Sequence, residues 1–214
     1  MADGKFITFE GGEGTGKSTQ LRLLEKYLED VDISVVTTRE PGGTPSGEDI
    51  RHLLVDGDTN KWTPLTEVLL HYAARHEHIT RVIKPTISSG KWVLCDRYAD
   101  STLAYQGFAQ HVDFRDITHL YKIVVGRFTP NLTIILDLPV EIGLKRAEKR
   151  KAGGTRYERM GLKFHQTLRE AFLKIADDNP ERCVVFNANK PEISIAKEIF
   201  NLVNNRFNLS NPME

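Results

Sequence analysis

Nine consecutive residues, Gly11-Gly12-Glu13-Gly14-Thr15-Gly16-Lys17-Ser18-Thr19, carry the densest chemistry in the chain. A glycine, four intervening positions and then Gly-Lys-Ser follow the apolar run Lys5 to Phe9 and precede leucines at helical spacing. Glycines so placed let successive backbone N–H groups turn inward around a polyphosphate, and the next helix adds the partial positive charge of its N-terminus. Lys17 reaches the β and γ oxygens, and the Ser18 hydroxyl can ligate Mg²⁺. The loop by itself specifies a nucleoside triphosphate and nothing about what receives its phosphate.

Other reactive residues are spread along the chain. The apolar run from Lys91 ends in Asp96 and Arg97. An acid closing a core strand beside the first faces Mg²⁺ and its waters in P-loop proteins, so Asp96 is the second metal candidate and Arg97 a phosphate clamp. Arg39, Glu40 and Pro41 open a stretch rich in prolines and glycines at a strand end, where open α/β sheets bind ligands. His71 and Arg75, four residues apart, share a helix face, whereas His76 and His78 read as solvated positions on an amphipathic helix. Ser101, Thr102, Tyr105 and Gln106 line a short segment ending at Gly107, and their spacing leaves their role open. Between Lys145 and Arg159 seven basic residues, Arg150 and Arg156 among them, stand against two acids and are interrupted by Gly153-Gly154. A flexible basic segment of this kind suits a lid closing over phosphates.

The elements that must hold these residues follow from periodicity. Strands are expected over residues 5–9, 33–36, 91–98, 132–138 and 183–186, with a loop from Thr37. Helices are expected after the glycine loop, over 48–55, as one long helix from Thr63 to about Ser89, over 113–127, after Pro139, over 164–175 and over 193–207. Five strands alternating with helices give an α/β fold with a doubly wound parallel sheet, three layers deep and of the P-loop NTPase type. Residues 1–214 read as one domain, the lid at about 145–159 lying within it.

Lys and Arg together number 29, as do Asp and Glu, so no global field draws the chain to nucleic acid or to an anionic membrane. Cys95 and Cys183 lie in apolar runs without metal-type spacing and read as reduced thiols of a cytoplasmic protein. No basic-then-apolar leader opens the sequence, and no apolar run approaches membrane-spanning length.

Taken together, Gly11 to Thr19, Arg39-Glu40-Pro41-Gly42-Gly43-Thr44, Ala73-Ala74-Arg75, Asp96-Arg97-Tyr98, Ser101-Thr102, Tyr105-Gln106-Gly107 and Pro130-Asn131-Leu132-Thr133 resemble the thymidylate kinase family over roughly residues 5–205. The resemblance implies transfer of the γ-phosphoryl group of ATP to dTMP, with Mg²⁺, in a homodimer. It implies that residues 11–19 bind ATP, that Glu13 reaches toward dTMP, and that Arg97 holds the dTMP phosphate. Arg75 would meet the thymine edge and Tyr105 would stand beside the sugar 2′ position. Glu40, Pro41, Ser101, Thr102 and Gln106 complete the implied dTMP set. Gly14 stands where one branch of the family carries an arginine; the other branch supplies it from the lid, which makes Arg156 the first catalytic candidate and Arg150 the second. His71 departs from the pattern, because the family usually has a phenylalanine there that stacks on thymine, and an imidazole offers less apolar area.

A phosphate acceptor has its second pKa near 6 and is already ionised, so no general base is required; Lys17, Arg97 and a lid arginine offset repulsion between two anions. Two rivals remain at this stage. A deoxynucleoside kinase would need a base such as Glu13 or Glu40, and a nucleotide-driven switch would turn over ATP without dTMP.

Overall fold

The computed structural model describes residues 4–149 and 155–209, so Arg150 and Gly153-Gly154 of the expected lid lie outside the described residues. Its sheet has five strands, β1 (Phe6–Glu10), β2 (Val35–Arg39), β3 (Trp92–Asp96), β4 (Leu132–Asp137) and β5 (Cys183–Asn187). Their order is β2-β3-β1-β4-β5 and every pairing is parallel. The three central strands are buried on both faces, as a sheet covered by helices on each side requires.

Alternate residues feed two cores. Ile7, Phe9, Leu94 and Ile134 pack with residues of α1 (Lys17–Asp30) and, further along the chain, of the closing helix. Phe6, Val93 and Cys95 pack on the opposite face with Val68, Tyr72 and Ile117. The result is the three-layer arrangement expected of the alternating pattern. α2 (Pro45–Val55) begins where Thr44 accepts a hydrogen bond from the Gly47 amide and Pro45 fills the first position, both favoured N-terminal chemistry.

The expected long helix is divided. α3 (Pro64–His78) passes into a wide π-helical stretch, Ile79–Ile83, and resumes as α4 (Lys84–Ser88). β2 runs on to Arg39, past the expected break at Thr37, because its pairing with β3 continues to Arg39 opposite Asp96. After β3, α5 (Ala99–Thr102) leads into a second π-helical stretch, Leu103–Ala109; α6 (Phe114–Val124) and α7 (Val140–Glu148) flank β4. A 3-10 turn at Tyr157–Arg159 precedes α8 (Leu162–Asp178), and α9 (Glu192–Phe207) closes the chain. Parallel pairing brings the C-terminal ends of all strands to one edge, which places Glu10, Arg39, Asp96 and Asp137 together there.

Candidate active site

The phosphate loop springs from β1 and ends at the first residue of α1, whose start carries no side-chain cap. Gly11, at φ 130°, and Gly14, at φ 66°, adopt backbone conformations that a side chain disfavours. A Cβ at Gly14 would also overlap the Gly143 carbonyl of α7, so this loop has no room for an arginine there. Lys17, 8 % exposed, folds back on the loop, donating to the Gly12 carbonyl at 2.7 Å and the Gly11 carbonyl at 3.2 Å. Burial and the neighbouring Arg97 push its ammonium down to about 8, against the pull of Glu13 and Asp96.

The Ser18 hydroxyl donates to Asp96 Oδ2 at 2.6 Å, setting a hydroxyl beside a carboxylate at the loop mouth. Among the described residues no cluster of three or more His, Cys, Asp or Glu could cage a metal alone. One hydroxyl and one carboxylate fit a small hard cation that keeps several waters and shares phosphate oxygens.

Arg97 joins this loop to the other half of the cavity. Its Nη1 donates to the Gly11 carbonyl at 3.0 Å and to Ser101 Oγ at 3.2 Å, and Nη2 donates to Glu13 Oε1 at 3.0 Å. The Tyr105 hydroxyl donates to the same Glu13 oxygen at 2.6 Å, and the Arg97 guanidinium lies 5.1 Å from the Tyr105 ring. Burial favours a protonated Glu13, but Arg97, Lys17 and the Tyr105 bond outweigh it and hold the carboxyl at about 2.

Arg75 is buried, its guanidinium 4.8 Å from the Tyr72 ring and 5.3 Å from the Tyr98 ring. Nε donates to Glu40 Oε2 at 2.7 Å, and Nη2 to the Tyr98 carbonyl and the Thr102 hydroxyl at 3.1 and 3.0 Å. Nη1 is buried without a partner. Gln106 is buried as well; Nε2 donates to Glu67 Oε2 at 2.9 Å, while Oε1 has no partner. A buried polar atom left single calls for a partner, such as an ordered water or a ligand. His71 Nε2 lies 3.3 Å from the Tyr157 hydroxyl, and burial with Arg75 and Arg156 nearby pushes the imidazole down to about 3, so it is neutral.

These groups line one cavity of about 650 Å³ that takes in Glu13 to Thr19, Glu40, Pro41, His71, Arg75, Asp96, Arg97, Ser101, Tyr105 and Gln106. Gly11 and Gly12 stand behind it and contribute the carbonyls that Lys17 meets. Thr102 also stands behind, supporting Arg75 from a position 1 % exposed. Arg156 is not among the lining residues. It is fully buried, with Nε on the Leu54 carbonyl at 3.0 Å, Nη1 on the Thr59 carbonyl at 2.9 Å and Nη2 2.6 Å from Glu67 Oε1. The arginine expected over the phosphates instead ties the turn before α8 to α2 and α3. His78, expected in solvent, is also buried: Nδ1 is 3.0 Å from Glu40 Oε1 and Nε2 2.7 Å from the Thr38 hydroxyl, so it orients the carboxylate that orients Arg75. His76 is exposed, as expected.

Two participants escaped the sequence. Arg51 lines the cavity from α2 and donates to the Pro41 carbonyl at 2.9 Å. Its helical face was the available signal, but helix phase does not say which face meets the cavity. Glu10 follows an apolar run and carried no signal of its own. Arg146, one of the seven basic residues of the expected lid, lines the cavity from α7.

The comparisons with known proteins point to one family. A model of the family described as thymidylate kinase matches residues 9–199. Thymidylate kinase of Caulobacter vibrioides is 50 % identical over 209 residues, covering 98 % of this chain and 100 % of that protein. Its counterpart in Afipia carboxidovorans is 48 % identical over 205 residues, or 95 % of this chain and 90 % of the other. The crystal structure of thymidylate kinase from Ehrlichia chaffeensis superposes with a TM-score of 0.74 at 35 % identity, covering 94 % of this chain and 99 % of that one. A phosphate loop, a strand-end carboxylate and a cluster of arginines in one cavity, carried on a sequence with these relatives, place the chain in the thymidylate kinase family.

Proposed function

We propose that the cavity gathers ATP and dTMP end to end, so that the γ-phosphoryl group passes to the dTMP phosphate in line, giving ADP and dTDP. The phosphate-loop amides and Lys17 take the ATP phosphates. Arg97, already turned toward Gly11 and Glu13, takes the dTMP phosphate. Kinases of this family work with a divalent metal, and Ser18 and Asp96 would hold Mg²⁺ here, which when bound draws charge from the phosphate oxygens. Glu13, ionised at every working pH, orients Arg97 and Tyr105 rather than abstracting a proton. Arg150 remains the lid candidate, within a lid of about residues 145–159 of a single domain.

The observation that carries the acceptor assignment is that two residues lining the same cavity each hold a buried, unpaired polar atom, a donor on Arg75 and an acceptor on Gln106. A thymine edge offers an accepting O4 next to a donating N3–H and satisfies both; cytosine reverses the pattern. His71, neutral and tied to Tyr157, would lie against the ring, and Tyr105 would close the space that a 2′-hydroxyl needs. The thymine methyl is worth only about 0.8 kcal/mol by area, so dUMP is expected to be a poor but measurable substrate.

The test is ADP release with dTMP, dUMP, dCMP, TMP and thymidine as acceptors. Turnover should rank dTMP over dUMP and be near background with dCMP and thymidine. Activity with dCMP matching that with dUMP would end the edge-matching reading, and thymidine as the preferred acceptor would make this a nucleoside kinase. Exposed Leu65 and Leu69 on α3, with Phe114 and Ile123 on α6 beside it, support a homodimer built through these helices. No helix among the described residues is long and apolar enough to cross a membrane.

A further inference from the structure

Glu10, the last residue of β1, is wholly buried and does not line the cavity. A buried carboxylate beyond reach of the substrates needs a reason to be there. Its two oxygens grip the chain on the far side of Arg97: Oε1 accepts the Tyr98 amide at 2.7 Å and Oε2 accepts the Ser101 hydroxyl at 2.6 Å.

Between β3 and these anchors sits Arg97, at φ 71° in the left-handed region. A residue with a side chain adopts that conformation only under strain and keeps it only where its surroundings over-determine it. Here the Arg97 amide still follows the sheet, donating to the Phe9 carbonyl at 2.9 Å, and the next amide has left the ladder for Glu10. The chain therefore reverses at Arg97 between a backbone acceptor of β1 and a side-chain acceptor of the same strand. That reversal turns the guanidinium back over the phosphate loop toward Gly11 and Glu13.

We propose that Glu10 is a positioning residue for the acceptor phosphate: by capturing the Tyr98 amide and the Ser101 hydroxyl it holds Arg97 in its left-handed turn and aims its guanidinium at dTMP. The inference rests on the reading of Arg97 as the dTMP phosphate ligand. Glutamine at position 10 keeps the shape, but its nitrogen can only donate, so the Ser101 hydroxyl must reverse and a charge-assisted anchor becomes a weaker neutral one.

The test is a double-mutant cycle of Glu10→Gln and Arg97→Ala at pH 8, where the Glu10 carboxyl is ionised, with KM for dTMP and for ATP measured separately and folding checked by thermal melting. Glu10→Gln should raise KM for dTMP about 10- to 100-fold while KM for ATP stays within about 2-fold. In the Arg97→Ala background the same change should have no further effect on dTMP. Equal shifts for both substrates, an unchanged KM for dTMP, or additive effects in the double variant would overturn the proposal. If Arg97→Ala leaves KM for dTMP unchanged, the reading of Arg97 fails instead. Should Glu10→Gln not fold, Glu10→Asp, which keeps the charge on a shorter arm, enters the same cycle and should give a smaller rise confined to dTMP.

Discussion

Individual residues here answer to their neighbours more than to their type. Lys17 is held near 8 by burial and by Arg97, so its charge is lost within an accessible pH range. In its proposed role on the ATP phosphates the group acts protonated, so kcat/KM for ATP should fall with rising pH above about 8; a profile flat to pH 9.5 would contradict this. Tyr105 packs by Phe164 and Phe172 and bonds Glu13, which fixes the ring for its proposed place beside the sugar. Tyr105→Ala should relax sugar discrimination, and an unchanged dTMP-to-TMP preference would refute its role. Arg156 forms a buried pair with Glu67. Arg156→Ala would leave that carboxylate buried without its partner and should destabilise the fold by about 3–5 kcal/mol in urea titration. A variant as stable as the parent but slow in turnover would return the guanidinium to the phosphates.

Secondary-structure elements decide how these residues approach one another. α7 meets the phosphate loop through two glycines: a Cβ at Gly14 would strike the Gly143 carbonyl, and one at Gly143 would strike the Glu13 carbonyl. Gly143→Ala must therefore push helix and loop apart at a cost of about 1–3 kcal/mol. The expected outcome is a KM for ATP raised about 10-fold, corresponding to about 1.4 kcal/mol, with dTMP affinity little changed by calorimetry. The π-helical stretch Leu103–Ala109 turns Tyr105 and Gln106 toward the cavity side by side, as a wide helical turn at a functional site often does. α-helical spacing read from sequence could not foresee that.

At the scale of the whole molecule, the buried carboxyl of Glu10 links folding to pH. Burial, then Asp100, raises it from the ordinary 4.5 to about 7, against the lowering effects of Arg97, Ser101 and the Tyr98 amide. A carboxyl whose folded value is raised favours the protonated native state, so its contribution is complete below pH 4.5 and is lost as pH climbs through 7. It amounts to at most about 3 kcal/mol. Melting of the parent should therefore lose stability relative to Glu10→Gln between pH 4.5 and 7.5, and parallel curves would show that Glu10 does not titrate there.

The glycine loop, the parallel sheet and the phosphate chemistry were legible in the sequence because each is local: glycine spacing shapes a loop, apolar runs make buried strands, and a strand-end acid lands beside the loop in any such sheet. The destinations of Arg156, His78, Gln106 and Glu10 were decided only by the tertiary structure. Each pairs with groups at least 35 positions away, at Leu54, Glu40, Glu67 and Ser101. Helical period assigns a residue to a face; what lies opposite, and so whether a charge meets solvent, a carboxylate or a phosphate, depends on how the layers close.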